Sequence, residues 1–293
     1  MEALGLSQKI AALMMRQLLR LVSTAALLSL SGCSWDQTRM PWHLPDDRGP
    51  TIERQPSKEA VSAPRLIEPE PSGIMAASSR ELMACDALLG LPKIRERPAD
   101  PSNFGKRITV DAWGRQLVAT PQLIVIHETV VGESETLSLF ATPHPRDEDQ
   151  ASYHMLIGRD GSRTRVVADS YRAYGAGMSA FGDITQRTKA SGLGSINNIA
   201  LHISLVSPDD GRDDRDMHSG YTDAQYRSLA GQLLLWQAAY GIPMTRVTTH
   251  HAVDRSRSRY DPRSFRWDRF DGFYRRAATS CGFKRFDTLQ AGL

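Results

Sequence analysis

The stretch Gln122-Leu-Ile-Val-Ile-His127 constrains the fold more than any other part of this 293-residue chain. It follows Pro121, is apolar and β-branched without interruption, and ends on a histidine. Such a run reads as a strand buried at the centre of a sheet. Period-2 alternation puts Leu123, Val125 and His127 on one face of it. Downstream, Asp160-Gly161 is a turn signal between two short strand-like segments, 153–158 and 163–168, and predicts a hairpin. A second apolar strand is expected at 198–206. Thr222 with Gln225 three residues on forms a capping box. It opens a helix in which Tyr226, Leu229, Leu233, Trp236 and Tyr240 recur at spacings of three and four, and Gly241 stops it. A last helix is expected over 265–276. Strands alternating with helices predict an α/β domain with a central mixed β-sheet flanked by helices.

The ends of the chain read differently. Lys9, Arg16 and Arg20 precede an apolar run at 21–30, the layout of a secretory signal. That run is shorter than the roughly 20 residues a bilayer span takes. Leu30-Ser31-Gly32-Cys33 resembles the lipobox of bacterial lipoproteins, in which the cysteine becomes the acylated N-terminus. The expectation is a signal peptide at 1–32 and a membrane anchor at Cys33. Ser34 in place of aspartate points to the outer membrane, facing the periplasm. Several acyl chains on one residue anchor stably where a single chain would be marginal. Seven prolines between 34 and 80, with no sustained apolar period, predict a flexible tether over 33–80. The remaining residues, 81–293, are expected to form one catalytic domain. Three of the cations behind the net charge of +3 lie in the signal, so the rest is near neutral and gives no reason to expect a nucleic-acid partner. Cys85 and Cys281 stand near the two ends of the domain; they are either a bridge pinning its termini or two small core residues.

Chemistry enters with His127, His250 and Asp261. A catalytic zinc site takes three protein ligands from histidine and carboxylate and keeps a fourth position open. A histidine ending a buried strand, followed far downstream by a loop with His-x10-Asp-Pro, supplies that set. The wider pattern is more specific. Ile124-Val-Ile-His127, Ser152-Tyr-His-Met-Leu-Ile157 with Arg159-Asp-Gly161, Arg172-Ala-Tyr-Gly-Ala-Gly177, the segment 197–206, Tyr221-Thr-Asp-Ala-Gln-Tyr226, Tyr240-Gly-Ile-Pro243, and Thr249-His250 through Asp261-Pro262 occur in order. Over roughly 120–275 they resemble the type 2 N-acetylmuramoyl-L-alanine amidases, the superfamily of peptidoglycan recognition proteins and phage lysozyme-amidases. The lipobox adds a likeness to the outer-membrane lipoprotein subgroup.

The resemblance implies a single amidase-2-like domain in which His127, His250 and Asp261 bind Zn2+. His251 is the rival for the second position: the family pattern favours His250, while the spacing to Asp261 suits His251 slightly better. The implied reaction is hydrolysis of the amide between N-acetylmuramic acid and L-alanine in peptidoglycan or muropeptides, by water made acidic on the metal. Many members carry a general-base glutamate in the strand matched to 197–206; here His202 or Ser204 stands there, depending on register. Other branches use a tyrosine, which corresponds to Tyr153. A lysine that members often carry two residues before the zinc aspartate is replaced by Arg259. The expected roles are Tyr153 as the polarising or proton-handling group, Arg259 as oxyanion partner and His202 as a proton carrier. The polar segment 132–150 is expected to line the substrate groove, with His144 not a ligand. The competing reading is a lipoprotein that binds peptidoglycan without cutting it. A zinc peptidase ranks last for want of a His-Glu-x-x-His motif.

Overall fold

A computed structural model describes residues 75–189, 194–213 and 215–283, all within one compact unit, Leu66–Leu293. The expected signal peptide, Cys33 and all but the last few residues of the expected tether lie outside the described residues. The elements in chain order are α1 (Ser79–Leu89), β1 (Ile94–Glu96), β2 (Phe104–Lys106), β3 (Leu123–Glu128), α2 (Glu133–Ala141), β4 (Met155–Ile157), β5 (Arg163–Arg165), β6 (Tyr171–Ala173), β7 (Ala200–Leu205), α3 (Asp223–Tyr240), β8 (Val247–Thr249), α4 (His250–Val253) and α5 (Trp267–Cys281). Helix α1 starts at Ser79, two residues ahead of the expected domain start at 81, because Ser78 and Glu81 form a capping box there.

The main sheet is six-stranded, in the order β1-β5-β4-β7-β3-β8. It is mixed: β3 runs parallel to both β7 and β8, β4 parallel to β7, and β4 antiparallel to β5. Every residue of β3 and β7 is buried, the apolar ones and also His127, Glu128, His202 and Ser204. Their two faces divide the core. Ile124, Ile126, Leu201 and Ile203 pack on the helix side with Tyr226, Leu229, Leu233 and Trp236 of α3 and Phe270 and Tyr274 of α5. Leu123, Val125 and Ala200 pack on the other side with Ala176, Ile196 and Val253. Helix α3 begins at the expected capping box and ends at Gly241, which takes the left-handed conformation at φ 66°. The hairpin forms with shorter strands than its sequence suggests, and Gly161 turns it at φ 82°.

Two expectations change. The last helix runs five residues beyond 276, to Cys281, where Gly282 caps it in the left-handed conformation. The segment 132–150 is not simply a polar groove lining: it contains α2, anchored by buried Thr136 and Phe140 four residues apart. The choice left open at Cys85 and Cys281 resolves as a disulfide joining α1 to the end of α5, with Cα atoms 5.0 Å apart. That spacing is ordinary for a bridge, and the bond closes a separation of 196 residues. Replacing both cysteines by alanine is expected to lower stability by about 2–4 kcal/mol. Denaturant melts compared with the oxidised and reduced parent measure it; an unchanged midpoint would show that α1 is held by packing alone.

Candidate metal and catalytic site

Alternation along β3 settles where its last two side chains go. His127 projects to the face of Val125, and Glu128 to the face of Ile126 and the helices. The neighbouring strand β8 ends at Thr249, whose hydroxyl caps α4 by accepting the Ala252 N–H at 3.3 Å. His250, the first residue of α4, is thereby turned inward and buried, while His251 is exposed. The loop after α4 is folded by Asp254, whose carboxylate accepts the backbone N–H groups of Ser256, Ser258 and Arg259 at 2.8–3.0 Å. It returns the chain so that the His251 N–H donates to Asp261 O at 2.9 Å.

Three side chains converge there. Ligand atoms of His127, His250 and Asp261 all lie within 4.8 Å of one another, and all three residues are buried. Asp261 Oδ1 is 2.9 Å from His250 Nδ1. Asp261 Oδ2 is 3.3 Å from His127 Nδ1, which is buried and makes no hydrogen bond. Burial first, then the charges of His250 and Arg259, push the His127 imidazole down to about 4. Burial pushes the Asp261 carboxyl up, but His250 and His127 outweigh it and hold the group well below the usual carboxylate range. His127 is thus neutral and Asp261 ionised at neutral pH, which are the forms that ligate a metal. A buried set of two imidazoles and one carboxylate, with one nitrogen left without a partner, fits a zinc ion. His251 is not part of the cluster; its Nδ1 lies 3.0 Å from Arg259 O.

The other candidates gather around this set. Tyr153 stacks on His127 with ring centroids 4.5 Å apart and meets Phe140 edge-on at 5.3 Å. Burial, then the Asp261 charge, raise its phenol, so it remains a protonated hydroxyl. The charge of Arg259 adds a little to the lowering of the His127 imidazole and partly opposes the raising of the Tyr153 phenol. The β3–β7 register pairs His127 with Ser204 and Val125 with His202. Yet it is the longer His202 ring that reaches His127, with Nδ1 2.9 Å from His127 Nε2. His144 stands apart, 3.0 Å from Asn103 Oδ1.

A buried carboxylate went unnoticed in the sequence. Glu128 Oε1 accepts from Arg263 Nε at 2.5 Å, and Oε2 meets His218 Nε2 and the Tyr221 hydroxyl, each at 2.9 Å. Arg263 also donates to the carbonyls of Gly211, Asp213 and Arg215 at 2.5–2.8 Å. This pair ties the chain two residues after Asp261 to the strand residue next to His127. The only sequence signal for it was a charged residue closing an otherwise apolar strand.

Residues 117–264 match the family model Amidase_2, described as N-acetylmuramoyl-L-alanine amidase. No curated protein matches the chain. Among solved structures, a selenomethionine derivative of AmpD is 25% identical, covering 62% of this chain and 95% of its own, with a TM-score of 0.46. AmpD of Citrobacter freundii is 24% identical over 61% of this chain and 89% of its own, with a TM-score of 0.40. The N-acetylmuramoyl-L-alanine amidase LysC from Clostridium intestinale is 19% identical over 62% of this chain and 96% of its own, with a TM-score of 0.38.

Proposed function

Because this chain belongs to the N-acetylmuramoyl-L-alanine amidase family, whose model spans residues 117–264, we propose that it is a zinc-dependent hydrolase of the amide between N-acetylmuramic acid and L-alanine in peptidoglycan or muropeptides. The observation that carries the zinc reading is the convergence of His127, His250 and Asp261 around a buried, unbonded His127 Nδ1. Zinc held there supplies Lewis acidity and makes water acidic enough to be nucleophilic near neutral pH. The chain's own groups do the rest. Asp261 and the two imidazoles give the ion its place. The Tyr153 hydroxyl, kept protonated by burial, is the donor that polarises the scissile carbonyl or returns a proton to the departing amine. Arg259, whose charge acts on both His127 and Tyr153, steadies the oxyanion through a planar fork where a lysine would offer a point charge.

The proposal extends to placement. Residues 1–32 act as a lipoprotein signal, Cys33 carries the lipid, and 33–80 tether the domain to the periplasmic face of the outer membrane. Globomycin-sensitive processing and labelling of Cys33 by a fatty-acid analogue would test that part.

The activity is tested by incubating the full chain with muropeptides, with and without a chelator, and measuring free stem peptide. Release that chelation stops and added zinc restores is the expected result. Binding of muropeptides with no release under any condition would favour a non-cutting wall-binding protein, a reading that draws on the absence of a carboxylate at His202 and Ser204.

A further inference from the structure

We propose that His202 is a positioning residue of the metal centre, accepting the Nε2–H of His127 and so fixing that ring with its Nδ1 lone pair toward the ion. The inference rests on the zinc reading above and gives His202 a role distinct from the expected one of proton carrier.

The His202 N–H donates to His154 Nδ1 at 2.9 Å, so the His154 proton sits on Nε2, 3.1 Å from the carbonyl of Tyr171. The His154 and His202 rings lie nearly parallel, 11° apart in plane and 5.8 Å between centroids. Gly175 hems the His202 ring: a Cβ there would stand 2.5 Å from its Cγ and Nδ1, closer than any carbon can approach. The ring is fully buried, and of its two nitrogens only Nδ1 has a partner, His127 Nε2. Two neutral imidazoles sharing one hydrogen bond need one donor and one acceptor. His127 offers Nδ1 to the ligand cluster, so its proton belongs on Nε2 and His202 Nδ1 accepts it. Metal-binding histidines generally donate their second nitrogen to a fixed acceptor, which sets tautomer and ring orientation. Here that acceptor is an imidazole.

The test compares zinc affinity, by chelator competition at fixed pH, in the full chain and three variants. His202→Leu keeps bulk and removes the acceptor; it is expected to weaken zinc about 10–100-fold. His202→Asn places its Oδ1 where Nδ1 stood and is expected to restore most of that loss. Gly175→Ala leaves His202 in the chain but displaces its ring, and is expected to weaken zinc as well. Melting of the metal-free proteins is followed in parallel, and long-range 15N–1H spectra of the parent report the His127 tautomer directly. Parent-like affinity in His202→Leu, equal loss in Leu and Asn variants, or a His127 ring protonated on Nδ1 in the zinc-loaded parent would each overturn the positioning role while leaving the zinc reading intact. A parent chain that binds no zinc would overturn both.

Discussion

Replacing Asp261 by alanine is expected to remove bound metal and hydrolytic activity together. The carboxylate is the single anionic member of the buried cluster, and its oxygens face both imidazoles, Oδ1 toward His250 and Oδ2 toward His127. Without it, two imidazole nitrogens remain, too few for a three-ligand hydrolytic centre. Lewis-acid assistance is worth several kcal/mol, so a loss of about 4 kcal/mol corresponds to a rate decrease of roughly 1,000-fold or more. Asp261→Asn should behave similarly, because the amide keeps the shape and loses the charge. Metal content by elemental analysis and stem-peptide release should fall in step. A variant that keeps a full equivalent of zinc, or keeps parental turnover after losing it, would refute the assignment of Asp261.

Arg263→Leu is expected to damage the fold more than the ligand substitutions do. The guanidinium and Glu128 are both buried, and Arg263 also bonds three backbone carbonyls of the 211–215 segment. Removing one member of a buried pair strands the other, at a cost of about 3–5 kcal/mol. For a domain of this size that is a melting-temperature drop of roughly 6–20 °C. The double variant Glu128→Leu/Arg263→Leu should recover part of the loss, since no uncompensated charge stays behind. Thermal unfolding of the metal-free proteins checks both, and a single variant that melts with the parent would mean that the pair contributes no net stability.

The parts of this molecule that were legible in sequence are those where local pattern and tertiary role agree. Strands β3 and β7 are buried on both faces and look it. Helix α3 carries its start, stop and apolar face in its residues. Helices α1 and α2 escaped notice because each buries too few side chains to show a period: α1 inserts Cys85, and α2 inserts Thr136 and Phe140. Strands β1, β2 and β6 are three residues long, too short for alternation to register. At the site, His127, His250 and Asp261 were named from the family resemblance, because spacing alone did not separate His250 from His251. The inward turn of His250 depends on the Thr249 cap, a local bond that determines which of two adjacent histidines faces the core. The Glu128–Arg263 pair and the His127–His202 contact were invisible for a different reason. They depend on how far long side chains reach between segments 75 to 135 residues apart.

The opposite orientations of His127 and Glu128 make strand alignment part of the chemistry. Sliding β3 by one position against β7 would exchange the faces of the two side chains, turning His127 toward the helices and Glu128 toward the opposite face, and so taking each away from its partners. Each half of the exchange is unfavourable for its own reason, one on the ligand side and one among the helices. The native alignment is therefore checked twice, from the two sides of a single peptide unit, and any ion captured by His127 rewards the same alignment a third time.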